Sequence, residues 1–162
     1  MKKLIVVRHA KSSWENDAID HKRLLASRGF EDAKIVSDAL KQVDLNIDCI
    51  LSSDAYRAKT TAELFVANLN LDINLLKFNH ELYDFSGEKL LKTIKSTSNS
   101  CSQLMIFGHN HAITFFVNKF GDKYIDNVPT CGVVIIEFDI NDWNDLKKGN
   151  TTATLFPRDF KK

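Results

Sequence analysis

The sequence predicts an α/β protein in which helices cover a mostly parallel sheet. Three observations carry that expectation. Short β-branched runs alternate with longer stretches whose apolar residues recur at helical spacing. Two further β-rich segments close the chain with no helix between them, which argues for a mixed sheet over an all-parallel one. Finally, 162 residues without a linker or an internal repeat suit one domain, spanning 1–162, around a single core.

Each element follows from its own pattern. Leu4, Ile5, Val6 and Val7 form a buried first strand. Ala33, Val36, Ala39, Leu40 and Val43 recur at helical spacing and predict a helix over 28–43. Residues 48–51 read as a second strand. A helix over 55–69 follows, with Ala58, Ala62, Phe65, Val66 and Leu69 inward. Alternation over 72–78 predicts a third strand. Ser86 is positioned to cap a helix reaching about Lys95, with Leu90, Leu91 and Ile94 inward. Residues 104–107 make another strand and 111–120 another helix, which Asn110 could cap. Residues 132–138 and 151–156 end the chain as strands around a loop at Trp143.

Composition removes several function classes. A formal charge of +1 supplies no field for nucleic acid or a membrane surface. The apolar run 4–7 is too short for a signal peptide, and no stretch approaches a membrane span. The chain therefore reads as cytoplasmic. Cys49, Cys101 and Cys131 are widely spaced and odd in number, so reduced buried thiols are expected, with no disulfide framework or zinc site. Lysines outnumber arginines 17 to five, which makes each arginine a candidate for a planar, bidentate role.

Ligand-binding groups in such sheets gather at the carboxyl ends of strands. Three polar corners fall there: Arg8-His9, then Ser52-Ser53-Asp54 leading to Arg57, and Gly108-His109-Asn110. Arg57 would sit in the first turn of its helix, where free N–H groups favour an anion. Two arginines, a helix N-terminus and two imidazoles make a receptor for a tetrahedral dianion, of which phosphate is the obvious case. One neutral imidazole in such a cup can act as nucleophile. Nearby cations would keep it unprotonated and would neutralise the oxygens in the transition state. Arginine can supply that charge without a metal, and no cluster has metal-ligand spacing along the chain. Competing phosphate chemistries fail on the residues. There is no GxxxxGK[ST] and no GxGxxG. Cys49 stands eight residues before Arg57 instead of five, and the first strand ends in Arg8-His9 where a receiver domain needs carboxylates.

With those residues assembled, the sequence resembles the histidine phosphatase superfamily, and within it the SixA-type phosphohistidine phosphatases. The resemblance covers nearly the whole chain. Its blocks are 8–14, Asp20-His21-Lys22-Arg23-Leu24, Arg28-Gly29 with Asp32-Ala33, Ser52-Ser53 to Arg57-Ala58, and 60–63. They continue through Leu82-Tyr83, Gly108-His109-Asn110, Pro129-Thr130 and 137–139 before Trp143. It implies a three-layer α/β/α sandwich with a mixed, mostly parallel sheet, phosphoglycerate mutase-like. It also implies that His9 is the phosphorylated nucleophile and that Arg8, Arg57 and His109 grip the phosphoryl group. Arg23 matches an arginine of an Arg-Pro-Leu segment, with Leu24 in place of the proline. Asp84 and Glu81 are the two candidates for a general acid, and both also read as solvated loop carboxylates. His21, His80 and His111 read as surface or supporting groups. Trp14 fits the cup's rim or an exposed loop contact.

The implied activity is hydrolysis of protein phosphohistidine, without cofactor or metal. The partner would be a histidine-phosphotransfer domain or a phosphotransferase carrier. The alternatives are hydrolysis of a small phosphate ester and, from a different class, non-catalytic phosphate binding.

Overall fold

In a computed structural model that describes residues 1–15 and 18–161, strands and helices alternate along most of the chain. Strand β1 (Lys2–Arg8) is followed by helix α1 (Ser27–Leu40), strand β2 (Cys49–Ser52) and helix α2 (Tyr56–Asn68). Then come strand β3 (Leu76–Phe78), helix α3 (Glu88–Lys95), strand β4 (Gln103–Gly108) and helix α4 (Ala112–Phe120). Strands β5 (Val133–Phe138) and β6 (Asn150–Leu155) close the chain.

One sheet runs in the order β3-β2-β4-β1-β5-β6. The first four strands in that order pair in parallel, whereas β5 is antiparallel to both neighbours. The closing pair thus makes the sheet mixed, as its unhelical connection requires. Two-residue periodicity splits β1 between two cores. Leu4 and Val6 pack with residues of α3 and α4 on one face; Ile5 and Val7 pack with α1 and α2 on the other. Helices on both faces of one sheet give the three layers. Among the described residues, no helix is long and apolar enough to cross a membrane.

Three local expectations are corrected. Residues 73–75 form a 3-10 turn in place of strand, because the Asp72 side chain accepts from Asn74 N at 2.9 Å and bends the backbone. Ser86 does not cap α3. Gly87 holds the N-cap at φ 108°, and the carboxylate of Asp84 takes the free N–H groups. Cys49 and Cys101, expected as separate reduced thiols, are joined as a disulfide with Cα atoms 6.0 Å apart. Adjacent strands explain the pairing: Cys49 opens β2 opposite Leu104 of β4, and Cys101 lies just before β4. Cys131 is the free, buried thiol.

Candidate active site

The geometry of the site begins with two neighbouring strand ends. β1 and β4 run in register to Arg8 opposite Gly108, so their next residues, His9 and His109, emerge side by side. His9 N donates to Gly108 O at 3.1 Å, and His9 O accepts from Cys131 N at 2.9 Å. The two imidazoles stand 5.1 Å apart between ring centroids, and both are buried. Nδ1 of His9 lies 2.8 Å from the Ala10 carbonyl. A carbonyl only accepts, so Nδ1 carries the ring proton and the lone pair sits on Nε2.

The second corner comes from β2 and α2. Ser53 Oγ lies 2.8 Å from Nε2 of His109 and accepts from Ala55 N at 3.1 Å. Arg57 enters in the first turn of α2 and is 2% exposed. Thr61, one turn later, donates to Arg57 O at 2.7 Å and accepts from Ala10 N at 2.9 Å. That hydroxyl fastens the helix of Arg57 to the loop of His9. A close approach shapes the loop's far side. A Cβ on Gly29 would lie 2.3 Å from Lys11 O, so α1 reaches this loop only with glycine there.

Arg8 and Arg23 complete the ring of cations. Arg8 donates to Val128 O at 2.9 Å, and the Arg23 guanidinium lies 3.6 Å above the ring of the exposed Trp14. Among the described residues, several buried polar atoms here have no hydrogen-bond partner: Nε of Arg8, Arg23 and Arg57, one terminal nitrogen of Arg23, and Nδ1 of His109. Buried donors are normally satisfied, so this cluster marks a place shaped for an acceptor.

The electrostatics agree. Burial pushes His9 down to about 3; the Ala10 carbonyl pulls the other way, and Arg57, Arg8 and Arg23 each add to the lowering. His109 is pushed down to about 2 by burial, His9 and Arg57. Both rings are neutral at neutral pH. Burial, reinforced by Arg57, also lowers Arg8 and Arg23, as expected of guanidinium groups crowded together.

The carboxylates fall elsewhere than expected. Asp84 is not positioned to act as an acid: its two oxygens accept from Ser86, Gly87, Lys89 and Leu90 at 3.0–3.1 Å. Burial raises its pKa, but the N–H groups of Leu90, Ser86 and Gly87 outweigh that and hold it ionised. Glu81 lies in solvent 3.8 Å from Lys89. The carboxylate that does enter the cup is Asp20, which sequence reasoning quoted in a block but gave no role. Its Oδ2 accepts from Arg57 at 3.0 Å and from the Tyr83 hydroxyl, and its Oδ1 lies 3.4 Å from Arg23. Burial raises Asp20 too, yet the bonds from Tyr83 and Arg57 and the charges of Arg57 and Arg23 keep it below the usual range. Tyr83 was also missed as a site residue; its ring packs on His109 at 5.3 Å. Asn110, by contrast, lies one residue before His111, the N-cap of α4, and its Oδ1 accepts from Thr114 N in the helix's first turn at 3.0 Å.

Three strand ends and the turn before Arg23 bring two neutral imidazoles and three guanidinium groups together, a set of groups suited to an oxyanion, on a mixed α/β sheet. The chain belongs to the histidine phosphatase superfamily (branch 1), whose family model matches residues 4–84. Among curated proteins it is 24% identical over 153 residues to an uncharacterized Mycobacterium tuberculosis protein, covering 88% of this chain and 93% of that one. It is 27% identical to an uncharacterized chloroplastic protein of Arabidopsis thaliana, covering 89% of this chain and 70% of that one. Its fold is similar to that of the protein histidine phosphatase SixA complexed with tungstate, with TM-score 0.83, 17% identity, and 98% and 99% of the two chains covered. It is also similar in fold to a phosphoserine phosphatase from Entamoeba histolytica, with TM-score 0.59, 16% identity, and 96% and 97% covered.

Proposed function

We propose that the chain, as one histidine phosphatase domain, hydrolyses phosphohistidine on a partner protein through a phosphoryl group carried on His9. Nε2 of His9 attacks phosphorus, the new N–P bond replaces the substrate's P–N bond, and the substrate ring, already protonated on its other nitrogen, departs as neutral imidazole. Water then attacks the same phosphorus, breaks the bond to Nε2, and releases inorganic phosphate with His9 neutral again. Arg8, Arg23 and Arg57 bind the oxygens whose charge is redistributed in each transition state. With the Ser53 hydroxyl donating to its Nε2, neutral His109 turns an N–H on Nδ1 toward the same oxygens. No step requires a metal, because the guanidinium groups supply the positive charge.

The observation that carries the choice of substrate is the state of the carboxylates. Asp20 is held ionised by two arginines and a tyrosine, Asp84 is ionised in a helix cap, and Glu81 lies out on solvent beside Lys89. A phosphate ester needs a proton for its departing alkoxide; imidazole leaves from phosphorus far more readily. Exposed Trp14, Ile19, Leu24 and Phe85 lie beside these residues in sequence or contact and offer an apolar rim to a protein surface. Similarity in fold to a SixA structure complexed with tungstate, a tetrahedral oxyanion, supports the oxyanion reading.

The test is hydrolysis of phosphohistidine protein beside a panel of phosphate esters. Esters are expected to turn over about 10²–10⁴-fold more slowly, the range a general acid contributes. His9→Ala should reduce phosphohistidine turnover by roughly 10³-fold or more and abolish an acid-labile phosphoprotein seen on rapid quench. Fast ester turnover that falls about 10²-fold in Glu81→Gln would replace this reading with a phosphomonoesterase. Near-normal turnover by His9→Ala would remove the mechanism.

A further inference from the structure

Outside the cup, three side chains from separate segments meet in a way the spacing of the sequence conceals. His21 lies in a 3-10 turn at Asp20–Lys22, Asp54 follows β2, and His80 lies in a 3-10 turn at His80–Leu82 after β3. Nε2 of His21 is 2.9 Å from Oδ1 of Asp54, and Nδ1 of His80 is 3.0 Å from each oxygen of the same carboxylate. All three donor atoms lie within 4.8 Å of one another.

We propose that His21, Asp54 and His80 form a binding site for a divalent transition-metal ion of the zinc class. A tetrahedral ion with bonds of about 2.0–2.2 Å sets its donor atoms about 3.3–3.5 Å apart. The contacts to Asp54 are a few tenths of an ångström shorter than that. The donors therefore need only part slightly around an ion and swing the two imidazoles together. Two nitrogens and one carboxylate oxygen suit zinc, cobalt or nickel, whereas magnesium and calcium favour all-oxygen sets. Supporting contacts hold the ligands in place. The rings of Tyr83 and Tyr56 pack on His21 at 5.0 Å and 6.2 Å between centroids. His80 is exposed, which leaves a path for the ion and room for a solvent molecule as fourth ligand.

The site's position gives it a consequence. Its three ligands tie together the turn preceding Arg23, the tail of β2 before α2, and the segment preceding Tyr83. Asp20 and Arg23, both at the cup, flank His21 in sequence. A bound ion would clip these loops across the mouth of the cup, apart from any phosphoryl chemistry.

The experiment titrates chelator-treated protein with Co²⁺ alone and follows the visible d–d bands, with Zn²⁺ competition by calorimetry. One equivalent with tetrahedral band intensity is expected in the wild type. Affinity should fall at least about tenfold in His80→Asn and in His21→Asn, since even a group that only orients a metal ligand is worth that much. His80 is a surface residue, so its variant reports on binding without endangering the fold. The His9→Ala variant should bind as the wild type does, which separates this site from the catalytic imidazoles. Absence of a saturable band overturns the proposal. So does a band that persists unchanged in His80→Asn, or one that disappears in His9→Ala.

Discussion

Cations are buried at both ends of the sheet, and they are met differently. At the amino end, Lys2 is 4% exposed and its ammonium donates to Asn99 O at 2.6 Å and Cys101 O at 3.1 Å. Trp143 donates to the same Cys101 carbonyl at 2.7 Å and lies beneath the ammonium. At the carboxyl end, Arg8, Arg23 and Arg57 crowd one another, and each leaves a buried donor without a partner among the described residues. A buried charge with its bonds made holds a fold together. A buried charge with bonds left open is a receptor, at some expense in stability. The contrast singles out the same residues that the proposed function uses.

Four substitutions or conditions would break or sharpen this contrast. Arg57→Leu should lower kcat/KM for phosphohistidine protein by about 10²–10³-fold, the effect of losing one preorganised charge. Its urea midpoint should fall only slightly, because removing a buried charge with an unpaired Nε offsets the lost bonds to the half-exposed Asp20. A large loss of stability there would show that the cup arginines act structurally, as Lys2 does.

The two imidazoles give the next effect. Their folded-state pKa values of about 3 and about 2 lie below the unfolded value near 6.5, so the unfolded chain binds more protons in between. Stability must therefore fall as pH drops below about 6.5. Each ring contributes roughly 1.4 kcal/mol per pH unit between about pH 5.5 and 4. Urea unfolding across that window should show the slope, and His109→Asn should halve it. A flat profile would mean that the rings are protonated in the folded state.

Asp84→Ala should cost about 2 kcal/mol, since a cap contributes about 1 and the stranded N–H groups add to it. Its kcat/KM should remain that of the wild type. A collapse in ester turnover without loss of stability would restore Asp84 as an acid. Lys2→Met is the smallest expected effect. Loss of two hydrogen bonds from the ammonium should lower stability by about 1 kcal/mol and leave activity untouched.

How much of this was legible in the sequence depended on the range of the interaction. The element order and the mixed sheet were readable because β-branched runs and helical spacing are local signals, and so were the corners after β1, β2 and β4. The scarcity of arginine was informative, since Arg8, Arg23 and Arg57 all reach the cup while Arg28 and Arg158 lie outside it. Long-range partners were not readable. Asp84 fits a Leu-x-acid spacing, but its fate was settled by the N–H groups of a helix whose start the sequence misplaced. Asp20 and Tyr83 belong to segments 63 residues apart, and no local pattern shows that they are hydrogen-bonded. The Cys49–Cys101 link is hidden for the same reason: strand order, not spacing, made them neighbours.

Thr61 deserves a last thought. One hydroxyl accepts a hydrogen bond from Ala10 N beside His9 and donates one to the carbonyl of Arg57. His9 and Arg57 are thereby geared to each other, so neither can drift without dragging its counterpart. Serine in that position should preserve the alignment, while valine, nearly identical in shape, would uncouple it. A designer moving this chemistry onto another scaffold would have to carry that tie-bar along with the conspicuous residues.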